Sequence, residues 1–166
     1  IMVAKTYDQD RGFDLSDEYD KLLDSGDDSK DLQTACYDTI PTSTILQCIA
    51  ACIMKDVKRK SILKLDKSVF IDNWPNVKDS IFHAIEYFRN QYRIPVSRLL
   101  PYSALLVTFT YFFSRNKGNP PTSKQNKLLS QYFWWASLSN RFNSAVESKL
   151  VQDFKRFDQI LDENVP

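Results

Sequence analysis

Pro101-Tyr102-Ser103-Ala104-Leu105-Leu106-Val107-Thr108-Phe109-Thr110-Tyr111-Phe112-Phe113 is the stretch whose reading decides the fold. Its apolar side chains surround a helical axis instead of lining one side of it. A helix apolar on every side is a central, buried one, so the stretch predicts a buried helix over about 101–113, opened by Pro101. A buried strand over 104–113 is the competing reading. Crossing a bilayer takes about 20 apolar residues. This run is shorter and is broken by Ser103, Thr108 and Thr110, so it is not a membrane span.

The flanking segments carry amphipathic helix patterns that would cover such a core. Val77, Ile81, Ile85, Phe88 and Tyr92 recur at helical spacing and predict a helix over 77–92. Asp66 would cap a shorter helix through Phe70 and Ile71, interrupted at Trp74-Pro75 because proline cannot continue the hydrogen-bond ladder. Ile45, Leu46, Ile49, Ala50 and Ile53 predict a helix over 44–55, with Lys55–Lys60 as its basic C-terminal end. Asp17–Leu23 reads as a short helix capped by Ser16. Beyond the breaker-rich loop 115–121, Thr122 and Gln125 have the spacing of a capping box and open a helix to Leu138. Ser144 and Glu147 form a second box, opening a helix to Leu161 with Val146, Leu150, Phe154, Phe157 and Leu161 on its stripe. The expectation is an all-α, irregular bundle of five to seven helices.

Composition agrees with that class. The chain has 166 residues, 13% of them aromatic, with only three glycines. That length suits one domain, 1–166. Scarce turn dipeptides argue against a sandwich or barrel, and the aromatic content argues against disorder. The formal charge of +1 hides a split. Residues 1–31 carry ten acids and four bases, whereas Arg89–Arg156 carries eleven bases and two acids. The first part reads as an acidic segment coming from a preceding domain, and 32–166 as the helical body. Such a basic region raises the local concentration of polyanions; the plainer alternative is solvated lysines on helix faces. Three cysteines and no secretory segment suggest a reducing, cytoplasmic compartment. Ile1 is not an initiator residue, and the chain reads as a piece of a longer polypeptide.

Few residues offer catalytic chemistry. Cys48 and Cys52 share a helix face and, with Cys36 and His83, would number four zinc ligands. Their spacing matches no paired zinc knuckle, so inert thiols are the simpler reading and no metal site is assigned. His83 is the only histidine, and no phosphate-binding glycine loop or nucleophile elbow exists. The acid pairs Asp8/Asp10 and Asp27/Asp28 fall in solvated loop sequence. No catalytic residue is assigned.

The remaining candidate is Tyr132-Phe133-Trp134-Trp135-Ala136-Ser137-Leu138-Ser139-Asn140-Arg141-Phe142. Four consecutive aromatics sweep around a helix, so some pack between helices and others stay available for stacking. Arg141 suits a phosphate or carboxylate, or an internal acid such as Glu147. Aromatics beside cations also suit single-stranded nucleic acid. The candidate nucleic-acid or anion-binding residues are Arg141, Trp134, Trp135, Lys124, Lys127 and Lys149.

That stretch, continued by Ser144-Ala145-Val146-Glu147-Ser148, resembles the helical region of GmrSD-type restriction endonucleases, a prokaryotic family with a ParB-like N-terminal domain. Leu99-Leu100-Pro101-Tyr102 and Tyr111-Phe112-Phe113 resemble the middle of that region. Ile1-Met2-Val3-Ala4-Lys5-Thr6-Tyr7, then Phe13-Asp14-Leu15, resembles the end of the ParB-like domain. Asn140 stands where the family commonly has glycine, and Phe142 where it has tyrosine. The resemblance implies a non-catalytic scaffold or DNA-facing segment of a DNA-processing or anti-phage protein. The parent would be a nuclease or NTPase using a nucleotide and a divalent metal. The D-G-Q-Q-R-type motif and the histidine-rich HNH module of the family are absent from this chain, so no catalytic residue carries over. Partners would be other domains of the same polypeptide, DNA, or a second copy; a protein-interaction or dimerisation module without nucleic-acid contact is the alternative.

Overall fold

The computed structural model describes residues 7–26 and 31–163. Ile1–Thr6 and the Asp27/Asp28 pair lie outside the described residues. A small antiparallel hairpin comes first, β1 (Tyr7–Asp8) on β2 (Phe13–Asp14), with Asp8 opposite Phe13. Seven α-helices follow among the described residues: α1 (Leu15–Leu23), α2 (Thr42–Met54), α3 (Arg59–Ile62), α4 (Lys67–Gln91), α5 (Ala104–Arg115), α6 (Ser123–Leu138) and α7 (Val146–Leu161). The chain is all-α in class.

The centre is α5. All ten residues from Ala104 to Phe113 are buried, and the helix packs on α2, α4 and α7. A helix enclosed on three sides has no solvent face, which is why its sequence shows no polar stripe. Buried Thr108 is compatible with this because its hydroxyl bonds within the helix: Oγ1 donates to the Leu105 carbonyl at 3.0 Å. The buried-helix expectation holds, with the start at Ala104 rather than Pro101.

Four local expectations are corrected. The interruption at Trp74-Pro75 does not occur: α4 runs unbroken for 25 residues with Pro75 inside it. An internal proline costs about 3 kcal/mol, and burial of a large apolar side chain returns roughly 1.5–3 kcal/mol. Phe70, Trp74 and Val77 are all buried here, Phe70 stacks on Trp74, and the Trp74 indole donates to Glu18 Oε2 at 2.9 Å. Packing outweighs the proline. The second correction is the start of α1: Asp14, not Ser16, is its cap, and the Asp14 carboxylate accepts from the Ser16 amide at 2.8 Å. The third is the capping box at Ser144. Ala145 takes a left-handed φ of 51° and leads into α7 without a side-chain cap. The box at Thr122 and Gln125 does form. The basic run 55–60 also divides: Lys55 ends α2 in a left-handed conformation, and Arg59 opens the short α3.

The acidic segment is attached to the helical body. Phe13, Leu15 and Leu22 enter the same core, Phe13 meets Phe70 edge-on, and Asp8 and Arg11 pair with Lys67 and Asp72 on α4.

Candidate nucleic-acid interface

Helix α6 begins with a satisfied box: Thr122 Oγ1 accepts from the Gln125 amide, and Gln125 Oε1 accepts from the Thr122 amide. Gln125 Nε2 also donates to the Leu161 carbonyl at 3.1 Å, fixing the start of α6 against the end of α7. From that fixed start, about 100° per residue sorts the side chains. Gln125, Leu128, Leu129, Tyr132, Phe133 and Ala136 turn inward and are buried. Lys124, Lys127, Gln131, Trp134, Trp135 and Leu138 turn outward within one arc, all exposed. This outer face is basic at its start and apolar at its end, spanning about 21 Å. Trp134 is 53% exposed and Leu138 77%, values that mark the end of α6 as an outward apolar patch.

The four consecutive aromatics therefore divide in pairs. Tyr132 and Phe133 belong to the core: Tyr132 meets Phe157 edge-on with centroids 4.7 Å apart, and Phe133 stacks on Tyr92 at 4.0 Å. Trp134 is braced edge-on by Phe133 and Tyr92. Trp135 faces two guanidinium groups, with the Arg141 and Arg156 Cζ atoms 5.2 and 4.7 Å from its ring centre.

Those arginines are held by one buried carboxylate. Asp153 is fully buried on α7. It accepts from Arg141 Nη2 at 2.8 Å and Nε at 3.2 Å, from Arg156 Nη1, and from the Tyr132 hydroxyl at 2.9 Å. Arg141 also reaches Gln152 Oε1 and the Lys149 carbonyl. Burial, and then the neighbouring Asp153 charge, push the Tyr132 hydroxyl well above its usual value. It remains protonated and donates. A buried charge without partners would cost several kcal/mol; here two guanidinium groups neutralise it and the Tyr132 hydroxyl adds a further hydrogen bond.

A parallel arrangement stands five residues further along α7. Asp158 accepts from Tyr111 at 2.6 Å and pairs with Lys55, while Arg115 Nε donates to the Tyr111 hydroxyl. One carboxylate ties α7 to α6, the other ties it to α5 and the end of α2.

The structure thus places Lys124, Lys127, Trp134 and Trp135 on one face, with Arg141 beside Trp135 and Lys149 adjacent to Arg141. No acidic side chain among the described residues pairs with Lys124 or Lys127. Arg141 is committed to Asp153, not Glu147. Sequence reasoning missed Asp153 and Arg156. The signal was an acid in phase with Leu150, Phe154 and Phe157: the buried stripe of α7 contains Asp153 and ends on Ile160 rather than Leu161. Asn140 adopts φ 54°, a left-handed conformation that glycine and asparagine share, and Phe142 is buried edge-on to Tyr102.

Cys36 is exposed and Cys48 buried; burial pushes the Cys52 thiol up to about 12 and raises Cys48 too. Among the described residues no group of three or more His, Cys, Asp or Glu side chains could hold a metal ion. Gly12, Gly26 and Gly118 lie in separate turns and form no phosphate-binding loop. Among the described residues, none forms a site matching the nucleotide and divalent metal implied for a full-length parent. No helix among the described residues is long and apolar enough to cross a membrane.

No family model matches the chain, and no solved structure matches it. It is similar to an uncharacterised protein of Methanocaldococcus jannaschii, 24% identical over 170 residues that cover 99% of this chain. The chain spans 28% of the length of that curated relative.

Proposed function

We propose that this chain is a non-catalytic helical scaffold of a larger, GmrSD-like DNA-processing or anti-phage protein of the cytoplasm, and that the outer face of α6 is its DNA-facing surface. The observation that carries the DNA-facing part is the alignment of Lys124, Lys127, Trp134 and Trp135 on one exposed helix face. Unpaired cations attract phosphate through counterion release, and the attraction weakens steeply with salt. The similarity of nearly the whole chain to just over a quarter of a longer relative supports a role as one part of a larger polypeptide. Titration of the chain with DNA at about 50 mM and about 200 mM salt tests the reading, since two lysine–phosphate contacts on duplex DNA lose about tenfold in affinity over that range. Salt-sensitive binding is expected; no binding at the lower salt would remove DNA contact and leave a scaffold.

A second reading is favoured by Leu138, the most exposed large apolar side chain at 77%. Apolar patches of this kind serve protein docking, either to another domain or to a second copy. Sedimentation across a concentration series distinguishes the two forms of it.

A further inference from the structure

We propose that the α6 face takes single-stranded nucleic acid, with Trp134 as the stacking platform and Lys124 and Lys127 as the phosphate contacts. The proposal rests on the DNA-facing reading above and specifies its substrate class.

Duplex DNA keeps its bases stacked inward and offers an indole no ring face along its length. A single strand presents every base for stacking, worth about 1–3 kcal/mol per base on an aromatic platform. The outer arc of α6 is built for the second case. An α-helix reading duplex in the major groove relies on Arg, Lys, Asn or Gln aimed at base edges. Here the half of the arc nearest Asp153 is indole and leucine, and Gln131 is its one amide. The two arginines beside Trp135 are already engaged, with both Arg141 and Arg156 bonded to Asp153.

The platform is also held before any ligand arrives. Trp134 stands edge-on to Phe133 and Tyr92, at interplanar angles of 88° and 72°, while more than half of its surface stays open. Phe133 belongs to the core cluster, and Tyr92 packs against it. Rigid aromatic surface loses little freedom on binding, so more of the stacking energy appears as affinity. Lys127 lies two turns before Trp134, about 10 Å along the axis. A strand stacked at Trp134 can therefore run its backbone back along α6 toward both lysines.

The test is a tryptophan-fluorescence titration of the intact chain with an oligothymidine and with a mixed-sequence duplex of equal length, at about 50 mM salt. Trp74 is buried and supplies a constant background. The expected result is quenching by the single strand, affinity on the order of tenfold above the duplex, and a loss on the order of tenfold in Trp134→Ala. Trp134→Phe, which keeps a ring, should recover most of that loss; this separates stacking from any disturbance of the fold. Equal affinity for both forms, with Trp134→Ala unchanged, would overturn the single-strand assignment while leaving DNA contact in place. Binding of neither form would overturn both and favour protein docking at Leu138.

Discussion

Arg141 Nη2 stands 2.8 Å from Asp153 Oδ1, and the aspartate is wholly buried while the arginine side chain keeps only 13% of its surface. The residue that the sequence offers as an anion receptor is thus used to satisfy an internal anion. Breaking a buried pair by removing one partner typically costs about 3–5 kcal/mol. Asp153→Ala is expected to lose that much in urea unfolding, because it strands two guanidinium groups at once. Arg141→Ala should lose less, about 1–3 kcal/mol, since Arg156 and Tyr132 still satisfy the carboxylate. Equal losses would contradict a shared centre.

Adjacent aromatics on α6 should behave oppositely. Phe133 is 1% exposed and touches Phe88, Tyr92 and Phe109. Phe133→Ala is expected to cost about 3–5 kcal/mol. Trp134→Ala, at an exposed position, should cost under about 1 kcal/mol. Denaturant midpoints of the two variants check the inward and outward assignment directly.

The turn after α5 depends on Gly118. It has φ +70°, and a Cβ there would lie 3.0 Å from His83 Cε1. Gly118→Ala therefore meets both an unfavourable backbone region and a ring, at a cost of about 1–3 kcal/mol. In a His83→Ala background the steric part disappears, so the glycine substitution should cost measurably less. Identical costs in both backgrounds would show that the close approach is unimportant.

Acid should weaken the fold partly through Asp31. Its Oδ1 accepts from the Thr34 amide at 2.6 Å, and its Oδ2 accepts from the Ser25 hydroxyl and amide. The Thr34 amide bond is the main reason its carboxyl is held at about 2 instead of 3.8. A group depressed in the folded state stabilises fully above its unfolded value and loses that contribution as pH falls toward the folded one. The window is therefore from about pH 4 down to about pH 2. Asp31→Asn should be less stable than the parent at pH 6, with the gap closing across that window.

How much of this was legible in the sequence follows the kind of interaction involved. Local signals read well: the apolar run 104–113 gave the central helix, and Thr122 with Gln125 gave the start of α6. Pro75 misled because its local cost is visible in sequence, whereas the burial of Trp74 and its bond to Glu18 join residues 56 apart. Ser144 misled because a capping box needs a backbone geometry that Ala145 does not adopt. At the candidate site the sequence supplied the outer residues of α6, since their spacing alone sets the face. It did not supply Asp153 as the partner of Arg141, because that pairing depends on how α7 packs against α6.

The proposed phosphate contacts of the α6 face are Lys124 and Lys127. Measuring the affinity for single-stranded DNA against salt, in the parent and in a Lys124→Ala/Lys127→Ala variant, tests them most directly. Each lost contact on a single strand removes about 0.7 from the slope of log affinity against log salt. The double variant is expected to be shallower by about 1.4, with the fold unchanged. Parallel slopes in the two proteins would contradict the assignment.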